Sequence, residues 1–159
     1  TVWNLLNGFF ETEMHRQQAI DGAVEAINRL TDVADVVILT NLLDHRAGPR
    51  TAQLKAVGID APVYTNQGGK GEALGRILDE YKPSVAVFVD DLGHQHDSVG
   101  ELFPDVWRLH FVGEPLLWER VNPSKAAHAR LDRWTDAEHW IRDRLVANAP
   151  APALEKGLS

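Results

Sequence analysis

The run Val85-Ala86-Val87-Phe88-Val89, opened by Lys82-Pro83-Ser84 and closed by the adjacent acids Asp90-Asp91, constrains the fold more than any other segment. A continuous apolar run of this length, rich in β-branched residues, fits a strand buried on both faces, as in a parallel sheet covered by helices on each side. In open α/β sheets the carboxyl ends of the strands line the ligand crevice, where two carboxylates can hold a hard cation through oxygen. Taken alone, the pair fits equally well a helix cap at Asp91 beside an exposed turn residue at Asp90.

The rest of the chain repeats the same grammar. Ala23, Val24, Ile27 and Leu30 share one face of a helix predicted over 21–30, with Asp21 near its start as a cap. Val36-Val37-Ile38-Leu39 is a short β-branched strand ending at Thr40-Asn41. A helix is predicted over 48–57, with Pro49 early and Gly58 as its stop, followed by a strand over 62–65. Asn66-Gln67-Gly68-Gly69 breaks the chain before Lys70, after which Ala73, Leu74, Ile77, Leu78 and Tyr81 mark an amphipathic helix. A short helix over 98–103, a strand over 106–111 and a last helix over about 135–146 complete the pattern. Strands alternating with helices imply right-handed crossovers and a doubly wound, mainly parallel sheet in an α/β fold. Residues 1–147 therefore form one domain, and the Ala- and Pro-rich stretch 148–159 is expected to be a mobile tail.

Composition narrows the function. A chain of 159 residues with 44% hydrophobic and 25% charged residues suits one globular domain. A net charge of −7 argues against general binding to nucleic acid or to a membrane surface. Cysteine is absent, which removes disulfides and thiolate chemistry and suits a reducing compartment. No apolar stretch reaches membrane-span length and no signal-peptide pattern opens the chain, so a cytoplasmic protein is expected.

Three polar sites fall at comparable places: Thr40 ending one strand, Lys70 opening a helix, and Asp90-Asp91 ending another strand. A hydroxyl donor, an ammonium and a carboxylate pair suit a phosphoryl group, whose transfer depends on positioning and on neutralising developing charge. Their order resembles the haloacid dehalogenase superfamily, in which phosphatases predominate. Val36-Val37-Ile38-Leu39-Thr40-Asn41 is similar to the family's second motif, Lys70 in Gly68-Gly69-Lys70-Gly71 to its third, and Phe88-Val89-Asp90-Asp91 to its fourth.

The resemblance covers about residues 1–112 and implies a three-layer Rossmannoid α/β/α fold with little or no cap. It implies a magnesium-dependent phosphatase that acts on a phosphomonoester, most simply a small molecule, through an aspartyl-phosphate. Thr40, aided by the Asn41 backbone N–H, would bind the phosphoryl group, and Lys70 would neutralise it. Asp90 would ligate the magnesium, and Asp91 its water shell. The family's nucleophile and its acid–base partner belong to an Asp-x-Asp-x-Thr motif. Thr1-Val2 is similar to that motif's end, so the first strand and its Asp pair are expected just upstream of Thr1, with Thr1 orienting them.

Three other readings are weighed. A receiver-type domain uses the same residue types with the acidic pair first and Lys last, whereas here the order is Thr40, Lys70, Asp90-Asp91, and a P-loop lacks its first glycine, since Tyr64 stands there. A haloacid-dehalogenase-like binding or scaffold protein without phosphatase activity remains the alternative. His94 and His96 could chelate a transition metal if the segment is extended, but solvated histidines leading into a helix are the more ordinary reading.

Overall fold

β-Branched and leucine-rich segments pair into one six-stranded sheet, and every pairing in it is parallel. The computed structural model describes residues 4–7, 22–41, 47–56, 58–113 and 115–154. The strands are β1 (Asn4–Asn7), β2 (Asp35–Thr40), β3 (Val63–Thr65), β4 (Val87–Asp90), β5 (Trp107–Phe111) and β6 (Ala129–Leu131). The helices are α1 (Ala23–Thr31), α2 (Ala47–Ala56), α3 (Gly71–Tyr81), α4 (Gly93–Leu102) and α5 (Trp134–Ala147). Among the described residues no helix is long and apolar enough to cross a membrane.

Side-chain alternation sorts the strands' apolar residues onto two covered faces. Val36, Ile38, Val87, Val89, Leu109 and Phe111 pack with Ile27 and Leu30 of α1, Leu54 of α2 and Trp134 and Ile141 of α5. Val37, Leu39 and Phe88, on the opposite side, meet Leu74 and Ile77 of α3 and Val99 of α4. The result is a parallel sheet between two helical layers. The continuous run Val85–Val89 is buried throughout, as its lack of alternation predicts.

The strand order is β3-β2-β1-β4-β5-β6. The chain thus works outward from β1 to β3, then returns to the other side of β1 and works outward again. The order reverses between β1 and β4, and the crevice outside the carboxyl ends there is where ligands of open α/β sheets bind. Register brings the polar strand ends level. Leu6 pairs with both Val37 and Phe88, so Thr40, three residues on, and Asp90, two residues on, finish at one edge.

The structure differs from the sequence expectations in four places. β1, Asn4–Asn7, fills the centre of the sheet, the place for which the sequence pattern looked upstream of Thr1. Its two leucines between asparagines make too short a run to register as a strand. Helix α4 starts at Gly93 and not at Ser98, because Gly93-His94-Gln95 offers no side-chain cap, yet the chain turns helical directly after the acidic pair. β6 was not expected, since Ala129-Arg130-Leu131 lacks a β-branched residue. The expected mobile tail is docked at its start: Trp107 Nε1 donates to the Ala149 carbonyl at 2.9 Å, the Ala151 amide to the Asp105 carbonyl at 2.9 Å, and His128 Nε2 to the Pro152 carbonyl at 2.9 Å. Small, Pro-rich residues suffice there because backbone groups make the bonds. Elsewhere expectation and structure agree closely. Gly58 stops α2 in the left-handed region at φ 97°, where glycine carries no Cβ penalty.

Candidate functional site

Lys70 is a long cation at the start of a helix, a place where lysine is ordinarily solvated. Here it is 1% exposed. The turn that carries it inward is braced on every side. Gly68 adopts φ 87°, the Asn66 amide donates to the Thr40 carbonyl at 2.9 Å, and Asn66 Nδ2 donates to the Gly69 carbonyl at 3.0 Å. Asn41 Nδ2 donates to the Gly68 carbonyl at 3.1 Å, so the Asn41 side chain holds the turn that precedes Lys70. Gly71 is needed for a steric reason, because a Cβ there would lie 2.6 Å from the Ser98 carbonyl oxygen of α4.

Lys70 Nζ donates to Asp90 Oδ2 at 2.7 Å, and both side chains are almost wholly buried. The other Asp90 oxygen, Oδ1, accepts from the Leu92 amide at 2.9 Å, a bond that bends the chain from β4 into α4. Asp91 is partly buried beside this pair. Burial, and then the charge of Asp90, push the Asp91 carboxyl up to about 7. Thr40 closes β2 on the same edge, 1% exposed, with its Oγ1 buried and without a hydrogen-bond partner among the described residues. A buried hydroxyl with nothing to bond costs free energy unless a ligand or water completes it.

Two imidazoles lie behind the acidic pair. His96 Nε2 lies 3.0 Å from the Asp90 carbonyl oxygen, and His110 Nε2 lies 2.9 Å from the Asp91 carbonyl oxygen. Nδ1 of His110 accepts from the Ser124 amide at 2.9 Å, which fixes Nε2 as its protonated, donating nitrogen. The ring centroids of the two histidines are 5.3 Å apart. Burial lowers the His96 imidazole to about 4 and moves His110 in the same direction, so both are neutral at pH 7.

Of the residues singled out by sequence, Lys70, Asp90 and Asp91 come together, and Thr40 with Asn41 ends the strand on the same edge. Thr1 lies outside the described residues. His94 and His96 do not form a chelate. They sit in a helix, where residues two apart face away from each other, and His94 is exposed while His96 is buried. Gln95 and His110 escape notice in the sequence, and His96 stands out there only as a chelator with His94, since polar residues after an acidic pair otherwise look like surface. The one usable signal is that extending α4 back to Gly93 puts Gln95 and Val99 four apart on one face.

The acidic pair offers part of what a magnesium ion takes, with both Asp90 oxygens already bonded, Oδ2 to Lys70 and Oδ1 to the Leu92 amide. The ion takes one or two carboxylates and keeps several waters, and Asp90 with Asp91 supply two carboxylates against a single ammonium. No group of three or more His, Cys, Asp or Glu side chains suited to a metal occurs among the described residues, so such an ion would complete its shell with water or substrate oxygen. No protein-family model matches the chain, and no curated protein does. A solved crystal structure is similar over 91% of this chain and 94% of its own, with a TM-score of 0.58 at 14% sequence identity, a likeness that speaks for the fold alone.

Proposed function

We propose that this is a doubly wound, haloacid-dehalogenase-like phosphohydrolase domain acting on a phosphomonoester with magnesium, in the cytoplasm. The observation that carries the reading is the buried Lys70–Asp90 pair at the carboxyl edge beside the reversal of strand order, level with the unpartnered hydroxyl of Thr40. Thr40 Oγ1–H would donate to a phosphoryl oxygen, and Lys70 would offset the charge developing there in a site from which water is largely excluded. Asp90 and Asp91 would hold the ion, which supplies Lewis-acid neutralisation of the phosphoryl oxygens. Little cap is proposed, and a small phosphorylated metabolite is the simplest substrate.

A second reading, a phosphate-binding domain without hydrolysis, is favoured by one observation. Asn4–Asn7 occupies the central strand position that the resemblance gives to the nucleophile, and it contains no Asp. An upstream strand bearing Asp-x-Asp would have to take that position. The full-length protein, including whatever is encoded before Thr1, decides between them. Magnesium-dependent hydrolysis of p-nitrophenyl phosphate, lowered about a hundredfold by Asp90→Asn, supports the phosphatase. Undiminished turnover in that variant refutes the metal assignment. Binding of inorganic phosphate without turnover supports the second reading.

A further inference from the structure

The segment Leu92-Gly93-His94-Gln95-His96-Asp97 follows the acidic pair directly, and the structure gives it work to do. Gln95 is fully buried. Its Oε1 accepts from the Lys70 backbone amide at 2.9 Å, and its Nε2 reaches the Gly68 carbonyl at 3.4 Å. One residue on, His96 holds the Asp90 carbonyl, and His110 from β5 holds the Asp91 carbonyl. The first turn of α4 therefore grips both partners of the Lys70–Asp90 pair by their backbones, from two adjacent side chains.

We propose that Gln95, His96 and His110 are positioning residues that set the Lys70 ammonium and the Asp90-Asp91 carboxylates in one fixed arrangement for a divalent cation and a phosphoryl group. The inference rests on the proposed function for the identity of the ligand, and on geometry alone for the positioning. The reasoning is specific about which atoms count. Lys70 has a long flexible stem, and a buried ammonium keeps a 2.7 Å bond only if its backbone origin is fixed. Gln95 fixes that origin, because an amide and a carbonyl of the Gly68–Lys70 turn both end on one carboxamide. Asp90 has a short side chain, so the position of its carbonyl dictates that of its carboxylate. His96 fixes that carbonyl from the far side of the strand end. His110 is itself held, through the Ser124 amide, in the tautomer that donates to Asp91. Groups of this kind, one bond removed from a metal ligand, typically change metal affinity or activity about 10–100-fold when lost.

The test compares His96→Leu with His96→Gln, and Gln95→Leu with Gln95→Glu, in the full-length protein. A Gln at position 96 can return an N–H donor to the Asp90 carbonyl, and a Glu at position 95 keeps the acceptor for the Lys70 amide. Two measurements are made well below each variant's Tm: the 1H–15N signal of the Lys70 ammonium, which a buried, bonded ammonium shields from solvent exchange, and calorimetric binding of Mg2+ alone. The expected result is loss of the ammonium signal and about tenfold weaker Mg2+ binding in both Leu variants, with His96→Gln and Gln95→Glu largely restored. Leu and rescue variants that behave alike, or Leu variants that lower Tm and leave the ammonium signal intact, overturn the proposal. If a Leu variant does not fold, failure of its rescue partner to keep the signal overturns it equally. A wild-type protein that neither binds Mg2+ nor hydrolyses phosphate sinks the proposed function, while the ammonium signal still decides the positioning.

Discussion

Replacing Lys70 by Met removes one charge from a pair whose side chains are 2% and 1% exposed, and leaves the Asp90 carboxylate buried without its cation, bonded to the Leu92 amide and beside a second acid, Asp91. Met has nearly the same volume and stem, so packing changes little and the loss reads the electrostatics. Breaking a buried ion pair from one side typically costs about 3–5 kcal/mol, because the remaining charge is desolvated and uncompensated. For a chain of this size that is a fall in Tm of roughly 6–20 °C. Asp90→Asn should cost a similar amount, since it strands the ammonium. The double variant should recover at least about 2 kcal/mol of the summed losses, because it leaves no net charge inside and keeps an acceptor for the Leu92 amide. Urea unfolding of the four proteins measures these terms directly. Magnesium adds a second axis: at ten times its Kd it should stabilise the wild type by about 1.4 kcal/mol, and Asp90→Asn should lose that increment. Strictly additive single losses, or a Lys70→Met cost under about 1 kcal/mol, would refute the description of Lys70–Asp90 as a buried, mutually dependent pair.

Alanine at Gly71 should destabilise: the new Cβ meets the Ser98 carbonyl oxygen at 2.6 Å and Leu102 at 3.0 Å, so α3 must move and about 1–3 kcal/mol is expected to be lost, which urea midpoints check. Truncation after Asn148 removes three hydrogen bonds from the Ala149–Pro152 stretch and should cost about 1–3 kcal/mol and shift Trp107 emission, whereas a free tail would leave both unchanged. Acid should act through His128, as through His96 and His110, because burial holds all three imidazoles below the usual 6.5; in His128 Nδ1 accepts from the Arg108 amide. The unfolded chain then takes the proton first as pH falls through 6.5, so this contribution is complete above that pH and is lost below it; His128→Phe should flatten the slope of stability against pH in that window.

Most of the sheet is legible in the sequence because its central strands are buried on both faces and cannot alternate. Val36–Leu39 and Val85–Val89 announce themselves as runs, and each ends where the polar residues begin. β1 and β6 are not legible. Four residues with two leucines, and three with one, carry too little pattern, and their place comes from pairing with neighbours that are already set. The candidate site divides in the same way. Thr40, Lys70 and Asp90-Asp91 stand out because a polar residue interrupts an apolar pattern at a strand or helix end. Gln95 and His110 do not, and His96 does so only as a chelator with His94, because their importance lies in backbone amides and carbonyls of other segments, which no side-chain pattern encodes. Arg108 is hidden for the same reason. It lies in β5 at 2% exposure with no carboxylate in ion-pair contact among the described residues, and its guanidinium is satisfied by the carbonyls of Phe103, Pro104, Val106 and Ala126.

The two buried cations show why one belongs to a site and the other to the scaffold. Arg108 gives its protons to backbone carbonyls that need donors anyway, so its charge is dispersed and nothing around it is left wanting. Lys70 sits in a different balance. Its single positive charge faces Asp90 directly and Asp91 next to it, and the Asp91 carboxyl is raised first by burial and then by the charge of Asp90. A buried ion pair seldom stabilises a fold better than apolar residues of the same shape would, so stability does not account for placing one at this strand end. A second acid beside the pair makes it costlier still. The arrangement becomes favourable when a further positive charge enters next to Asp90 and Asp91 and an anion enters next to Lys70 and Thr40. Those are the charges of the metal ion and the phosphoryl group in the proposed function.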